Sequence, residues 1–371
     1  MPCIGSSAIP VGDRMHAVPF KPPPLLGNAH AQTLGGFFLG RLPGYRLNRV
    51  GLLNETAILP TQDGTGDRLF VYIHRYVDRA HHNAPAIVLL HGLEGDADSA
   101  YMVHLADKLL RAGFHVVRMN MRTCGPGGPI ARRAYHAALT IDLESVLDYT
   151  REHISPVVAM AGISLGASLT LKLMGEDDQE RDRQRILWGG KRRRKRKQPV
   201  ADAFVAISPP LDLYLSCELL DSPGNRIYRA NFLGEIKERA RQGKYPDHPP
   251  GPELERELAQ IKSFFDFDHR FVAPAAGFRG AVEYYLHASS QQFIPYITAP
   301  GLVLHARDDP LIHTSGWDTT DWDAVPNIVA HETRKGGHVG WVARKHPFFP
   351  DRRWMDYRVL NYLTLWRDAV Q

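Results

Sequence analysis

Apolar residues in this chain fall into two kinds of block that alternate. Some are short and strongly apolar, at 84–90, which is continuous, and at 115–121, 157–161, 201–208 and 301–306. Runs of this length with no polar side read as parallel strands buried on both faces. Others recur at helical spacing. Met102, Leu105, Ala106, Leu109 and Leu110 share one face, with Ser99 as N-cap and Gly113 as the stop; Leu139, Leu143, Val146 and Leu147 mark a second helix. Residues 68–77 and 327–333 read as further strands, and 165–175 and 354–370 as further helices. Strands alternating with helices predict an α/β architecture, a mostly parallel, doubly wound sheet with helices on both faces. The rhythm breaks between 209 and 296, where aromatic-rich helical segments occupy 225–241 and 253–267. The break reads as a largely helical cap, or lid, inserted over the strand C-termini, where open α/β sheets bind ligands. The expected organisation is therefore an irregular N-terminal extension at 1–60 packing on the core, a core formed by 61–208 and 297–371, and the cap at 209–296. Residues 1–50 are proline-rich and irregular, with Lys21-Pro22-Pro23-Pro24 extended.

Composition adds exclusions. An apolar fraction of 44% is enough for a sizeable core. No stretch approaches the roughly 18 uncharged apolar residues of a membrane span, and residues 1–24 lack the continuous apolar region of a secretory signal. Cys3, Cys124 and Cys217 are odd in number, scattered and without metal-site spacing, so they read as reduced thiols of a cytoplasmic protein. The net charge of +5 comes from one place. Residues 191–197 carry seven consecutive positive charges, and setting them aside takes the balance from +5 to −2. Without interleaved aromatics this run reads as a solvated loop in preference to a nucleic-acid or anionic-lipid site.

The chemistry lies at Gly162-Ile163-Ser164-Leu165-Gly166. G-x-S-x-G alone is weak in a chain with 32 glycines. Here it follows a strand pattern and opens a helical one, the setting of a nucleophile elbow. A serine nucleophile needs a base and the base an orienting acid, in the chain order Ser, Asp or Glu, His on such a scaffold. The strand at 301–306 ends at Asp308 and Asp309, of which Asp309, followed by Pro310-Leu311-Ile312, is preferred as the acid. The strand at 327–333 is followed by Gly336-Gly337-His338-Val339-Gly340, making His338 the base. Among 18 histidines, His331 inside the strand and His346 beyond the loop compete with it. The oxyanion hole is expected from the backbone N–H of Leu165 and of Leu93, the latter in the loop His91-Gly92-Leu93-Glu94-Gly95.

These stretches, with Asn28-Ala29-His30-Ala31-Gln32-Thr33 and Asn120-Met121-Arg122-Thr123-Cys124-Gly125, resemble the signatures of the YheT-like α/β-hydrolases, relatives of the abhydrolase-domain esterases and lipases. Ala29, Met121 and Thr123 depart from the usual pattern. The resemblance covers residue 28 to the C-terminus and implies a carboxylic-ester hydrolase with Ser164, an aspartate at 308 or 309, and His338 as its triad. The expected substrate is a small ester or lipid with a short to medium acyl chain, cleaved through an acyl-enzyme without metal or organic cofactor. Nucleic acid is not expected as a partner, and no membrane-spanning segment is expected, leaving at most transient contact with a membrane surface. Tyr214, Tyr228, Phe232, Phe264 and Phe265 are candidates to line an acyl pocket. A thioesterase or acyltransferase on the same triad, and a non-catalytic binding protein on a hydrolase scaffold, stay open as alternatives. The physiological ester and the oligomeric state are not legible in the sequence.

Overall fold

A computed structural model describes residues 18–39, 47, 51–176, 181, 185–187, 189–190 and 199–370. The basic run 191–197 and Cys3 lie outside the described residues. Eight strands form one sheet: β1 (Leu52–Pro60), β2 (Arg68–Tyr76), β3 (Ala86–Leu90), β4 (His115–Met119), β5 (Val158–Ile163), β6 (Ala203–Ile207), β7 (Gly301–Ala306) and β8 (Ile328–Thr333). Their order is β1-β2-β4-β3-β5-β6-β7-β8. The β1/β2 and β2/β4 pairs are antiparallel and the remaining five parallel. The central strands are buried along their whole length, in keeping with their mostly apolar sequences. Alternate residues serve opposite layers: Val88 and Leu90 face one core cluster, Ile87 and Leu89 the other.

The helices follow in chain order: α1 (Ala29–Leu39), α2 (Ala100–Arg111), α3 (Thr140–His153), α4 (Leu165–Gly175), α5 (Leu213–Asp221), α6 (Arg226–Arg241), α7 (Pro252–Gln260), α8 (Phe264–Phe267), α9 (Ala281–Ala288) and α10 (Trp354–Val370). α3 and α4 cover one face through Leu143, Val146, Leu147, Leu169 and Leu173. α2 and α10 cover the other through Met102, Leu105, Leu109, Val359 and Trp366. α5 to α9 lie between β6 and β7 and pack around a third apolar cluster of their own, including Leu233, Phe264, Phe267, Phe271 and Tyr285. The helical segment expected at 253–267 is two helices. The chain is extended at Ile261 and Ser263, and the Ser263 side chain accepts from the Asp266 N–H to start α8.

The N-terminal sixty residues are not irregular throughout. β1 joins the sheet edge, and its mostly exposed residues hide the period-2 signal of a half-buried strand. α1 is concealed by Gly35-Gly36, poor helix formers. Gly36 is there for contact: a Cβ on it would sit 2.8 Å from the Gly340 Cα. Pro24 opens a 3-10 turn, Pro24–Leu26, instead of continuing an extended stretch. Among the described residues no helix is long and apolar enough to cross a membrane.

Candidate active site

Ser164 stands between β5 and α4 with φ +55° and ψ −120°, a backbone conformation that non-glycine residues seldom adopt and that costs about 1–3 kcal/mol. The surroundings hold it there. The Ser164 N–H donates to the Ile207 carbonyl at the end of β6, 2.8 Å away. The flanking glycines allow the fit: a Cβ on Gly162 would lie 2.2 Å from the Gly166 carbonyl oxygen, and one on Gly166 would lie 2.4 Å from that of His91.

His338 Nε2 lies 2.9 Å from Ser164 Oγ, and His338 Nδ1 lies 2.8 Å from Asp309 Oδ2. The other Asp309 oxygen accepts the Leu311 and Ile312 N–H groups at 2.9 and 3.1 Å, which fixes the carboxylate. The two adjacent aspartates are thus used differently. Asp308 Oδ1 accepts the Gly337 N–H at 2.9 Å and holds the loop that carries His338. His331 packs against Trp354 and receives an Arg358 N–H, and His346 stacks on Phe349; neither reaches Ser164.

The Leu93 and Leu165 N–H groups donate to no other group among the described residues. Leu165 is the first residue of α4, where orphan N–H groups and the helix dipole favour negative charge. Gly92 lies against the nucleophile, since a Cβ there would be 2.9 Å from the Ser164 Cβ. His91, fully buried, braces this loop: its Nδ1 lies 2.8 Å from the Gly92 carbonyl, and its Nε2 accepts the Met121 N–H at 3.0 Å. Burial pushes the imidazole down to about 4, so it is neutral and able to accept. Glu94 ties the same loop to α6. Its carboxylate accepts from Arg239 at 2.6 Å and from the Tyr135 hydroxyl at 2.8 Å, while Arg239 also reaches Thr123 Oγ1 at 2.8 Å.

Sequence reasoning missed what the Asn28–Thr33 segment does. Asn28 Oδ1 caps α1 by accepting the His30 and Ala31 N–H groups. Gln32, fully buried, accepts the Val342 N–H at 2.7 Å and donates to the Val342 carbonyl at 3.2 Å. Thr33 Oγ1 accepts the His338 N–H at 2.9 Å. Gly337, at φ +60°, packs so close that a Cβ would meet the Ala29 carbonyl at 2.4 Å. The segment is a clamp on the His338 loop, and no local spacing announces a bond across 305 residues. Replacing Thr33 with valine keeps the shape but leaves the His338 N–H without its acceptor, which costs about 1–3 kcal/mol. The expected result in ester turnover is a fall in kcat of about tenfold with KM near wild type. An unchanged kcat would show that the clamp does not position His338.

Ser164, His338, Leu93 and Leu165 open on a cavity of about 1080 Å³. Tyr228, Phe232 and Phe264 line it as expected, joined by Tyr245, Phe267, Tyr284 and Tyr285. Tyr214 and Phe265 are not part of its wall: Tyr214 is exposed, and Phe265 packs on the third cluster. The Asn120–Gly125 segment builds support. Arg122, buried, makes a two-pronged bond with Asp142 at 2.6 and 2.7 Å. No group of histidine, cysteine and acidic residues suited to a metal ion occurs among the described residues.

This arrangement has parallels. The monoacylglycerol lipase of Saccharomyces cerevisiae is 28% identical over 296 residues, covering 77% of this chain and 60% of that one. The YheT protein of Escherichia coli is 27% identical over 293 residues, covering 77% and 78%. The Pyrococcus furiosus esterase Pf2001 superposes with a TM-score of 0.53 at 14% identity, covering 87% of this chain and 96% of that one, a likeness of fold. The model of the alpha/beta hydrolase family matches residues 87–350, a span that holds the elbow, the acid loop and the histidine loop on their strands. On that match the chain belongs to the alpha/beta hydrolase family.

Proposed function

We propose that the protein hydrolyses carboxylic esters of short to medium acyl chains or lipids through an acyl-serine intermediate. The observation that carries this is the unbroken chain of hydrogen bonds from Ser164 through His338 to Asp309, opening on one large cavity. His338 Nε2 takes the Ser164 Oγ proton as Oγ attacks the ester carbonyl. The Leu93 and Leu165 N–H groups receive the negative charge that forms on the carbonyl oxygen. His338 then gives its proton to the leaving alkoxide. A water molecule, deprotonated by His338 in turn, releases the acid and restores Ser164. Asp309 fixes the tautomer of His338 and stabilises its imidazolium.

In this reading 209–296 acts as a cap that walls the acyl pocket with its aromatics, and the described part of 1–60 packs on the core, its Asn28–Thr33 segment clamping the histidine loop. Relatives named as lipases and esterases support the ester class. Leu34, Phe37 and Ile227, exposed apolar residues at the cavity wall, support access from a lipid phase or a transient membrane contact. The buried free thiols of Cys124 and Cys217 support a reducing, cytoplasmic setting. A panel of p-nitrophenyl esters of increasing acyl length tests the reading. Turnover with an optimum at short to medium length is expected. No turnover at any length would leave a non-catalytic scaffold as the better account.

A further inference from the structure

Asp221 and Asp268, two carboxylates of the helical insert, are used in different ways. Asp221, at the end of α5, is consumed by the backbone: its oxygens accept the Phe264 and Phe265 N–H groups at 2.8 and 3.1 Å, which starts α8. Asp268 is not consumed. It stands where α8 gives way to a π turn, Asp268–Val272, of the kind that often marks a functional position. Its Oδ2 accepts the Tyr285 hydroxyl at 2.6 Å, and its Oδ1 has no partner among the described residues. The Tyr285 oxygen also lies 3.1 Å from Cys217 Sγ, so the hydroxyl is held from two sides.

Asp268, Cys217, Tyr284 and Tyr285 all line the cavity that holds Ser164. Leu220, Phe264, Phe267 and Val272 give the same wall apolar surface, and Ser216, Asn231, Glu235 and Arg239 also line the cavity. Burial raises the Asp268 carboxyl to about 7, with the Asp221 charge adding to the effect. Asp268 is only partly buried and lines the cavity, so its second oxygen is open to a ligand that enters. It does not serve the triad, since Asp309 fills the acid's place. It does not cap α8, whose first N–H groups go to Asp221 and Ser263.

We propose that Asp268 sets the substrate class of this cavity: its free carboxyl oxygen accepts a hydrogen bond from a hydroxyl group carried by the ester, held there by Tyr285. This rests on the ester-hydrolase reading above. The hydroxyl can belong to the acyl chain or to the alcohol part, and the chemistry at Asp268 is the same for both. Such a site favours a substrate with the hydroxyl over one without it, because the latter leaves the acceptor unpaired.

Two ladders of esters distinguish the sources. One compares p-nitrophenyl ω-hydroxyalkanoates with the plain alkanoates. The other compares butyrate monoesters of terminal diols with those of the matching alkanols, by titrating released acid. In one ladder wild type is expected to prefer the hydroxylated ester by about tenfold or more in kcat/KM, mainly through KM. Asp268→Leu is expected to bring that ratio close to one, and Asp268→Asn, which keeps an acceptor oxygen, to preserve part of it. Equal rates with and without the hydroxyl in both ladders, or a preference that survives in Asp268→Leu, overturns the proposal while leaving the ester reading intact. Should no ester of either ladder be turned over, the ester reading falls. Calorimetry on wild type then decides the binding site itself: octanediol is expected to bind about tenfold tighter than octanol, and equal affinities overturn it.

Discussion

Ser164→Ala is expected to lower kcat for a good ester about a million-fold, a loss of about 8 kcal/mol of transition-state stabilisation. The size follows from the unit in which Ser164 works. His338 Nε2 at 2.9 Å and Asp309 at 2.8 Å from Nδ1 have value only through the serine oxygen they activate. Removing Ser164 or His338 alone is therefore expected to approach the loss of all three. His338→Ala falls in the same range, and the double variant is no worse than either single one. Asp309→Asn costs less, about ten-thousand-fold, because histidine stays in place with the wrong tautomer. What remains above the uncatalysed rate comes from the Leu93 and Leu165 amides and from binding. The fold is expected to survive in Ser164→Ala, since alanine at φ +55° is no more strained than serine. Steady-state kinetics beside a thermal melt checks both halves. An alanine variant with more than about a hundredth of wild-type kcat would remove Ser164 from the role.

Acidification is expected to unfold the protein near pH 5, well above the usual range for carboxylate titration. The cause is a set of histidines buried as neutral bases. His74, His91, His104, His115 and His305 are each no more than 4% exposed, and burial pushes each down to about 4 from 6.5. Three of them accept hydrogen bonds that a protonated ring cannot: His91 from the Met121 N–H, His115 from the Tyr76 N–H and His74 from the Arg118 guanidinium. Between pH 6.5 and 4 the unfolded chain takes up a proton at each site that the folded chain refuses. Stability is therefore intact above 6.5, falls with pH through this window and stops falling below about 4.

At pH 5 each such group costs about 2 kcal/mol, so five reach about 10 kcal/mol, comparable with the whole stability of an ordinary domain. Asp268, raised to about 7, works in the opposite sense, as do Asp142, Glu176 and Glu235, whose carboxyls burial also raises, while His136 and His331, lowered to about 3 and about 4, add to the five. Asp356 titrates later. Burial would raise it, Arg353 and Lys108 outweigh burial and hold it at about 2, and its contribution is lost only as pH drops from 3.8 toward 2. Melts followed by circular dichroism from pH 7 to pH 5 test this. A melting temperature at pH 5 within about 3 °C of that at pH 7 would mean that these histidines are not held neutral.

Much of the sheet was legible because the central strands are buried on both faces, which leaves apolar runs such as Ala86–Leu90 and Ala203–Ile207. The elbow was legible for the same kind of reason, since the steric demands at Gly162 and Gly166 write themselves into the sequence. Features set by contacts distant in the chain were not. β1 exposes most of its residues, and α1 carries Gly36 for a contact with Gly340 that lies three hundred residues on. Pro310-Leu311-Ile312 favours Asp309 over the adjacent Asp308 locally, but that Asp308 holds Gly337 while Asp309 meets His338 depends on the path of the loop after β7. Asp268 looked like any acid in a helical insert. Its distinction from Asp221 depends on which backbone N–H groups each one finds.

The most direct test of the acyl-serine mechanism is covalent. Diisopropyl fluorophosphate, which phosphorylates an activated serine, should add one equivalent, and the modified peptide should be the one containing Ser164. Activity should fall in step with labelling, and Ser164→Ala should take up no label. Full loss of activity with the label on another residue, or ester turnover that persists with Ser164 fully phosphorylated, would contradict the mechanism.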